Sequence, residues 1–576
     1  MKETELLTYA CMKFQDEKYD EALEAFALAY SKGYEQEWII KNIYDCYMAG
    51  NEAVFRETYE HRKVGTKTAY EDCSLDFIPY KDGEYYIFDK EIAKFRGLFS
   101  ISDLKEANMS PMLQKMEFSA AALVMGWSWN EVLPVLTAAK ERNIYVICRD
   151  PKRGSSFCKI PELQEYMDNV IFFSDEEQFQ EYFHRNTSEY LPHIVFGREE
   201  EQKILLKILE QEHNYRLTPE GRNMENVLLT IAVPTRNRGN LLIERMKNLC
   251  SIPYDAEIEF VVSKNGTALY QKEYETVANM PDARISYYDH GRDLKAVENW
   301  RYSVEMSHGK YVLLVSDEDD VACDAVEHYL KLLHDNPELS LVRGKSRKFY
   351  SRITEKQHGK KGLEAFRLAF LRQNYLSGLI MKKEEFVQEN FHELECFSDN
   401  VFYQYYPHEW WCAKLCMKGD YQEEPVLLIE EKESVLKEEA EKYQQMGVLK
   451  AGEWVEETSG LPVYATYEER MKQFRAQIAF LHWMMDGNQE GCTIGLLLII
   501  GKIAFLMELA RQHNYKPEEF GNVMEEYLLF CMEAVEQFPV EGEIKVRLLS
   551  FIRDMGVSML ELHDKMSAGK TKQETM

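Results

Sequence analysis

The sequence has no apolar run long enough to cross a membrane and no excess of positive charge. Its one long apolar stretch, residues 493–507, is interrupted by Gly495, Gly501 and Lys502 and falls short of the roughly 20 residues that a spanning helix needs. The 69 lysine and arginine residues are outnumbered by 98 aspartate and glutamate residues, for a net charge of −29. Such a charge disfavours contact with nucleic-acid phosphates and anionic lipids. We therefore expect no nucleic-acid partner and no transmembrane segment.

Several familiar ligand motifs are also missing. Residues 75–200 contain neither a G-x-G-x-x-G fingerprint nor a Walker lysine motif, so nothing there supports a bound cofactor. The 12 cysteines form no C-x-x-C pair, and the spacing of Cys412 and Cys416 does not make a zinc site by itself. Residues 1–5 do not resemble a signal peptide. These absences predict reduced thiols and a cytoplasmic protein, which could also lie peripherally at the inner face of a membrane.

The most informative segment is residues 310–320, Lys-Tyr-Val-Leu-Leu-Val-Ser-Asp-Glu-Asp-Asp. Its apolar first half predicts a buried strand, and four carboxylates follow, those of Asp317, Glu318, Asp319 and Asp320. Crowded carboxylates repel one another, and a bound cation would relieve that repulsion. Ligand sites of open α/β sheets lie at this end of a strand. A solvated acidic turn is the plainer interpretation, and the surrounding sequence argues against it.

An alternation of strands and helices surrounds this segment. Apolar runs typical of buried strands lie at residues 227–233, 258–262, 285–288 and 311–315. Residues 241–249 and 294–306 have helical spacing, and Gly309 is placed to cap the second of these helices. Strands separated by helices predict parallel βαβ units.

Taken together, residues 226–345 resemble the nucleotide-sugar-binding half of a family 2 glycosyltransferase of bacterial type, with the GT-A fold. The pieces that carry the resemblance, in matching order and spacing, are residues 231–238, 261–267, Asn299, 309–311 and 317–320. The fold implied is of the α/β class, with a GT-A-like, mostly parallel sheet and helices on both of its faces.

The resemblance implies roles for the loops at the strand ends. The first loop would cradle the base and ribose of a nucleotide-sugar donor, and the aspartates after the fourth strand would hold ribose and a divalent cation, Mn²⁺ or Mg²⁺. The substrate-binding residues implied are Pro234, Thr235, Arg236, Arg238, Asn265, Asn299, Asp317, Ser377 and Gly378. The metal ligands implied are Asp317 and Asp319, with Asp320 as a helper. Such a cation would neutralise a departing diphosphate.

The second of these strands departs from the family pattern. Family members commonly end it in an aspartate that contacts the base, whereas this chain has Ser263, Lys264 and Asn265. Asn265 or Ser263 could contact a uracil-like edge, and Lys264 could meet phosphate instead. Because of this departure the sequence does not identify the nucleotide of the donor, but the expected fold is unchanged.

The second half of this domain is expected to hold the acceptor and a general base. Residues 374–381 resemble the segment that lines the acceptor side in bacterial members. Family members place the base at a later helix start, where this chain has His408 and Glu409. Either side chain can take a proton from an acceptor hydroxyl; we favour Glu409, with His408 as the alternative and helix capping as the non-catalytic role of both. The aromatic residues beside them could stack on sugars or lie in the core: Tyr406, Trp410 and Trp411.

The flanking sequence predicts three further regions around residues 223–432, the GT-A domain. They are a TPR-like helical region at 1–70, a small Rossmann-like α/β domain at 75–200 and a C-terminal helical domain at 433–570. In the first, Ala22, Phe26 and Ala29 have tetratricopeptide spacing, with an ordinary helical hairpin as an equal alternative. A repeat of this kind cannot bury its face alone, so the N-terminal region could bind a protein partner.

The outer regions also give specific element predictions. In the Rossmann-like region, strands are predicted at residues 119–125, 144–148, 170–173 and 194–196, followed by a linker at 200–222. Gly126, Trp127 and Arg149 could form a site there, although packing or partner binding is the favoured role. Towards the C-terminus, helices are predicted at residues 467–486, 493–513, 517–536 and 543–566, after a charged stretch at 432–443 and a join marked by Gly452, Gly460 and Pro462.

Two classes of function follow. The first is a metal-dependent, inverting glycosyltransferase that moves a sugar from a nucleotide-sugar donor to a hydroxyl of a glycan, lipid-linked or protein acceptor, in surface polysaccharide or glycoconjugate synthesis. The second is a non-catalytic GT-A-like scaffold or partner subunit in a glycosylation assembly. A nucleotidyltransferase is a weaker third possibility, because the first loop, residues 234–237, lacks the glycine-rich basic signature of those enzymes.

Overall fold

The computed structural model describes residues 3–61, 68–102, 121–125, 143–167, 169–266, 269–388, 394, 401–431, 467–512, 517–538, 540 and 542–573. The chain divides into two compact units, an amino-terminal unit (Met1–Asn223) and a carboxyl-terminal unit (Met224–Met576). The predictions for Gly126 and Trp127, for the charged stretch at 432–443 and for the join at 452–462 lie outside the described residues.

The amino-terminal unit begins with helices and continues as two small sheets. Its helices are α1 (Glu3–Gln15), α2 (Tyr19–Ser31), α3 (Gln36–Ile43), α4 (Glu52–Glu60), α5 (Pro151–Ser156), α6 (Gln164–Met167), α7 (Glu176–Arg185) and α8 (Glu199–Arg216). Its strands are β1 (Leu75–Pro79), β2 (Glu84–Asp89), β3 (Lys94–Ser100), β4 (Ala121–Met125), β5 (Ile144–Cys148), β6 (Val170–Phe173) and β7 (Ile194–Phe196).

Most element predictions for this unit are confirmed, and two features differ. The four predicted strands form a parallel sheet in the order β6-β5-β4-β7, and Ala22, Phe26 and Ala29 are buried on α2. The antiparallel sheet β1-β2-β3 was not predicted, because charged and glycine residues interrupt its alternation. The linker predicted at 200–222 is wrong, since most of it is α8, which buries Leu205 and Leu209.

The carboxyl-terminal unit holds a large sheet and a group of long helices. Its strands are β8 (Leu229–Arg236), β9 (Ile258–Asn265), β10 (Ile285–Asp289), β11 (Tyr311–Leu314), β12 (Asp320–Val321), β13 (Leu339–Ser346), β14 (Gln357–Gly359), β15 (Leu379–Lys382) and β16 (Asp420–Glu430). Its helices are α9 (Gly239–Cys250), α10 (Gln271–Ala278), α11 (Ala296–Glu305), α12 (Val326–Asp335), α13 (Leu363–Ala369), α14 (Lys383–Gln388), α15 (Val401–Tyr405), α16 (Pro407–Cys416), α17 (Tyr467–Met484), α18 (Gln489–Gln512), α19 (Pro517–Gln537) and α20 (Gly542–Gln573).

The large sheet has the order β10-β9-β8-β11-β15-β13-β16-β12, with β14 also paired to β16. Strands β8 to β11, β13 and β16 run in one direction, and β12, β14 and β15 run in the other. Every residue of β9 and β11 is buried, which requires cover on both faces. This burial explains the continuous apolar run of β11 and the mainly apolar first half of β9. The predicted α/β class with a mostly parallel sheet is therefore confirmed.

The apolar core of this unit runs from the sheet into the C-terminal helices. One cluster of buried side chains includes residues of β8, β11, α16 and α17 to α20. At its centre the indole of Trp410 stacks on the ring of Phe480, with centroids 4.2 Å apart and an interplanar angle of 4°. The predicted helices after residue 466 are confirmed, with α20 extending further than expected.

Gly309 serves close packing rather than helix capping. Helix α11 ends at Glu305, earlier than predicted. A Cβ added at Gly309 would lie 2.6 Å from the backbone nitrogen of Thr230, closer than real Cβ atoms come. Glycine here lets β11 begin directly beside β8.

Candidate functional site

The acidic loop, residues 316–320, follows β11 at the carboxyl edge of the sheet. The strands β11, β8, β9 and β10 are neighbours in that order, and each neighbouring pair is parallel. The loops after these four strands therefore leave the sheet at the same edge, which is where α/β sheets bind their ligands. This topology brings the first loop, residues 234–237 together with Arg238 and Gly239, to the acidic loop as the sequence predicts.

Asp317 is anchored to the first loop from two sides. Its Oδ2 accepts a hydrogen bond from the hydroxyl of Thr235 (2.7 Å), and its Oδ1 accepts one from Nη1 of Arg238 (3.1 Å). The hydroxyl of Tyr274 lies 3.0 Å from that of Thr235 and accepts from the backbone N–H of Arg238 (3.0 Å). Since Thr235 donates to Asp317, Tyr274 donates to Thr235. The chain of bonds fixes a carboxylate that is only 3% exposed.

Asp319 is anchored from the other side, by the segment that precedes β15. Its Oδ2 accepts hydrogen bonds from the hydroxyls of Tyr375 (2.5 Å) and Ser377 (2.5 Å). The Ser377 oxygen in turn accepts from the backbone N–H of Ser316 (2.9 Å). The predicted acceptor-side segment is thus in direct contact with the acidic loop.

Two arginines balance part of the loop's charge. Arg238 is 3.3 Å from Oε2 of Glu318 as well as bonded to Asp317, and Arg245 on α9 forms an ion pair with Asp320. The acidic loop thus brings four carboxylates and two guanidinium groups together at the end of β11. Local negative charge at a strand end is what a cation, or a donor carrying one, would complement.

Lys264 occupies the position where family members have an aspartate that contacts the nucleotide base. In this chain a carboxylate comes instead from the neighbouring strand β10, at Asp289. The ammonium of Lys264 lies 2.7 Å from Oδ2 of Asp289, the residue beside it in register on β10. The side chain of Asp289 is 39% exposed. Burial acts to raise the pKa of its carboxyl, but hydrogen bonds from Lys264 and from the backbone N–H of Gly291 help to hold that pKa below its ordinary value. The edge therefore presents the Asp289 carboxylate to solvent, while its partner Lys264 is buried.

Asn265 and Asn299 are both buried and hold the same edge together. The side-chain amide of Asn265 donates to the carbonyl of Leu294 (2.8 Å) and accepts from its N–H (2.6 Å). The side chain of Asn299 accepts from the hydroxyl of Ser263 (2.7 Å) and donates to its carbonyl (3.2 Å). Both asparagines lie at the predicted site, where their amides tie the loop after β10 and helix α11 to β9.

No protein-family model and no curated protein sequence matches the chain. Among solved structures it is similar to S. aureus TarS residues 1–349 in complex with UDP-GlcNAc, at 11% identity and a TM-score of 0.39, over 60% of this chain and 92% of that one. It is also similar to the mannosyltransferase PcManGT from Pyrobaculum calidifontis in complex with GDP-Man and Mn²⁺, at 13% identity and a TM-score of 0.30, over 58% and 86% of the two chains.

The remaining predicted binding residues surround the same two loops. Pro234 lies in β8 beside Ser263, and Nη2 of Arg236 is 2.8 Å from Oδ2 of the exposed Asp293. Gly378 has a φ of +86°, a left-handed conformation that glycine adopts without strain. A Cβ there would meet the Ile429 side chain at 3.0 Å. Glycine therefore allows the chain to turn sharply from Ser377 into β15.

The two candidate bases lie in the core. His408 is 2% and Glu409 3% exposed, both in the first turn of α16. Burial, reinforced by the nearby Arg343 charge, lowers the pKa of His408 to about 3. Burial also raises the pKa of Glu409 to about 7, although Lys502 opposes the shift. Their catalytic roles stay predictions.

These two pKa shifts have opposite effects on stability. Because the pKa of Glu409 is higher in the folded state, the folded protein binds the carboxyl proton more tightly than the unfolded chain does. The resulting stabilisation is complete below about pH 4.3 and is lost as the pH rises through about 7. A lowered imidazole pKa means that His408 contributes fully above about pH 6.5 and that its contribution is lost as the pH falls through about 3. The two contributions oppose each other in the interval between the two ordinary pKa values.

Replacing Glu409 with glutamine should remove the loss of stability that this buried carboxyl causes as the pH rises. We expect the difference in melting temperature, E409Q minus wild type, to rise as the pH goes from about 5 to about 7.5, because the variant has no buried carboxyl left to ionise. Thermal unfolding followed by circular dichroism at a series of pH values measures this difference. Parallel curves for the two proteins would show that Glu409 ionises as it does in water.

The three aromatic residues near the candidate bases are also placed by the structure. Trp410 and Trp411 have no exposed surface, so the core interpretation is confirmed for both. Tyr406 is half-buried, and its hydroxyl accepts from Arg470 (3.3 Å). Across the described ranges of the chain, no helix is both long and apolar enough to span a membrane.

Sequence reasoning did not single out several residues that shape the site. They are Arg245, Tyr274, Asp289, Arg343 and Tyr375. Each acts through a partner distant in sequence, and none has a local motif. Tyr375 alone had a signal, because it lies within the segment 374–381 that the sequence assigns to the acceptor side.

Proposed function

We propose that the chain is a glycosyltransferase of the GT-A type that takes its sugar from a nucleotide-sugar donor. The observation that carries the proposal is the anchoring of two buried aspartates at the carboxyl edge of the sheet, Asp317 by the first loop and Asp319 by the acceptor-side segment. A purely structural acidic turn would be solvated rather than buried between two loops.

A divalent cation fits the chemistry of this loop. Within the described part of the chain, no three side chains of histidine, cysteine or carboxylate type are arranged to hold a metal by themselves. Mg²⁺ is commonly held by one or two carboxylates together with substrate phosphates, so Asp317 and Asp319, with Asp320 as a helper, would be sufficient. Mn²⁺ or Mg²⁺ bound there would neutralise charge on the leaving diphosphate.

The donor would lie across the carboxyl ends of β8, β9 and β11. Arg236 and Arg238 place two guanidinium groups on the first loop, which suit phosphate or ribose contacts. The Lys264–Asp289 pair presents the exposed carboxylate of Asp289, an acceptor that suits an N–H group of a base. Thr235 would act indirectly, by orienting Asp317.

The acceptor would approach from the Ser377 side, with Glu409 as the proposed base and His408 as the alternative. Because Glu409 is 3% exposed, it can contact an acceptor hydroxyl only when the residues that cover it move. An inverting displacement needs this proton transfer at the moment the acceptor oxygen attacks. The acceptor class proposed is a glycan, lipid-linked or protein hydroxyl.

The proposal is tested by presenting the purified protein with a panel of nucleotide sugars. We expect Mn²⁺- or Mg²⁺-dependent release of UDP, GDP or CMP from one member of the panel, and loss of release after EDTA treatment. Release from no donor, with no binding of any nucleoside diphosphate by calorimetry, would overturn the proposal.

A non-catalytic GT-A-like scaffold is the second candidate. The burial of both candidate bases and the Lys264–Asp289 pair in place of a free aspartate favour it. The same panel separates the two functions, since a scaffold would bind a nucleoside diphosphate without turning over any donor.

A further inference from the structure

Arg343 on β13 is a buried charge that the proposed reaction does not use. It has no exposed surface, and all three of its side-chain nitrogens donate hydrogen bonds to the 371–378 segment. Nε donates to Oε1 of Gln373 (2.6 Å), Nη1 to the carbonyl of Ser377 (2.8 Å) and Nη2 to the carbonyl of Tyr375 (2.9 Å). Burying a guanidinium is costly, and bonds to every nitrogen offset that cost.

A second buried side chain holds the same segment. The ring of Tyr350 lies 4.3 Å from the Arg343 guanidinium, a stacking distance. Its hydroxyl donates to the carbonyl of Arg372 (2.8 Å). The backbone is thus fixed at Arg372, Tyr375 and Ser377, around the turn that leads into β15.

The residues fixed in this way are the ones that hold the acidic loop. Arg343 bonds the carbonyls of Tyr375 and Ser377, and the hydroxyls of these two residues donate to Asp319. We propose that Arg343 is a positioning residue, which fixes the backbone of this segment so that the two hydroxyls orient Asp319. The inference rests on the proposed function only in taking Asp319 as a cation ligand.

Arg284 provides a matched control. It too has no exposed surface, and it donates to the carbonyls of Cys250 (2.8 Å), Ile252 (2.6 Å) and Tyr254 (2.5 Å). It precedes β10, at the amino edge of the sheet and away from the acidic loop. Arg284→Met should therefore remove a comparable set of buried hydrogen bonds and leave the bonds between Arg343 and the 371–378 segment intact.

The first measurement needs no ligand. Hydrogen exchange is followed by mass spectrometry in the full-length wild type, Arg343→Met and Arg284→Met. We expect Arg343→Met to speed exchange by about 10-fold or more in peptides covering 373–378 and in the acidic loop, where the N–H of Ser316 donates to Ser377. Arg284→Met should speed exchange around 250–254 and leave the acidic loop unchanged.

The second measurement is Mn²⁺ binding to the same proteins, by electron paramagnetic resonance with and without added UDP or GDP. Partners that orient metal ligands typically account for about 10–100-fold in affinity, and we expect a loss of that size in Arg343→Met. Tyr375→Phe should weaken Mn²⁺ binding too, and the double variant should be little worse than Arg343→Met, because both changes act through one contact. Arg284→Met should bind Mn²⁺ as wild type does.

The two measurements separate the inference from the function. An acidic loop whose exchange is the same in Arg343→Met and wild type would overturn the positioning role, whatever the protein binds. Faster exchange in Arg343→Met, together with a wild-type protein that binds no Mn²⁺ with or without UDP or GDP, would uphold positioning and remove the cation from the proposed function. Should Arg343→Met fail to fold, Arg343→Lys keeps the charge while losing the three-point geometry, and it should show the same pattern of exchange.

Discussion

Replacing Asp319 with alanine should abolish metal-dependent binding of a nucleoside diphosphate and reduce sugar transfer by on the order of 10²–10³-fold. The carboxylate would no longer be available to a cation, and the hydroxyls of Tyr375 and Ser377 would lose their acceptor. Calorimetric titration of UDP or GDP in the presence of Mn²⁺, together with a transfer assay, measures both effects. Wild-type binding in the variant would place the cation elsewhere.

The controls for this variant address its stability. Asp319 is 2% exposed, so leaving two hydroxyls unpaired should cost on the order of 1–3 kcal/mol of the free energy of unfolding. Asp319→Asn keeps an oxygen acceptor for the hydroxyls but removes the charge, and it should fold better while binding metal no better. Asp282→Ala, which breaks the ion pair with Arg284 at the opposite edge, should lower stability and leave nucleotide binding intact.

Replacing Glu409 with glutamine should reduce transfer to the true acceptor by roughly 10²–10⁴-fold if this residue is the base. Donor and metal binding should be unchanged, because only the transition state requires removal of the proton. The measurement is kcat for transfer, with donor KM and nucleoside diphosphate affinity alongside. Hydrolysis of the donor by water needs a separate assay, since it can persist without the base.

Glu259 offers a matched control for a buried carboxyl. It has no exposed surface and accepts hydrogen bonds from Thr230 (2.7 Å) and Ser286 (2.7 Å) near the amino edge of the sheet. Glu259→Gln should change stability and leave transfer intact. Full transfer in both Glu409→Gln and His408→Ala would show that the base lies outside this dipeptide.

The strands around the site could be predicted because of how they are buried. Strands β9 and β11 are covered on both faces, so β11 is an unbroken apolar run and β9 is apolar from Ile258 to Val262 except at Glu259. The separate antiparallel sheet β1-β2-β3 lacks that pattern, with Lys94, Arg96 and Gly97 inside one strand. The sequence of α8 predicts a linker because charged residues dominate it. Its acidic first turn and basic last turn nevertheless fit the helix dipole.

Only the site residues that lie in recognisable sequence motifs could be predicted. Asp317, Thr235 and Arg238 come together because parallel strands deliver their loops to one edge, a consequence of topology that the sequence already implies. The partner of Lys264 is set by register between β9 and β10, and the bonds of Arg343 are set by tertiary packing. Neither arrangement has a local sequence pattern.

The stacking of Trp410 on Phe480 has a consequence for how this unit can be divided. One ring lies on α16 beside the sheet, and the other on α17 among the C-terminal helices. A chain cut before residue 467 would leave a large indole face in water, at a cost of several kcal/mol, and would tend to aggregate. Shortened forms of the protein therefore need to keep α17, and any exchange of the helical part for another must preserve a flat aromatic partner for this tryptophan.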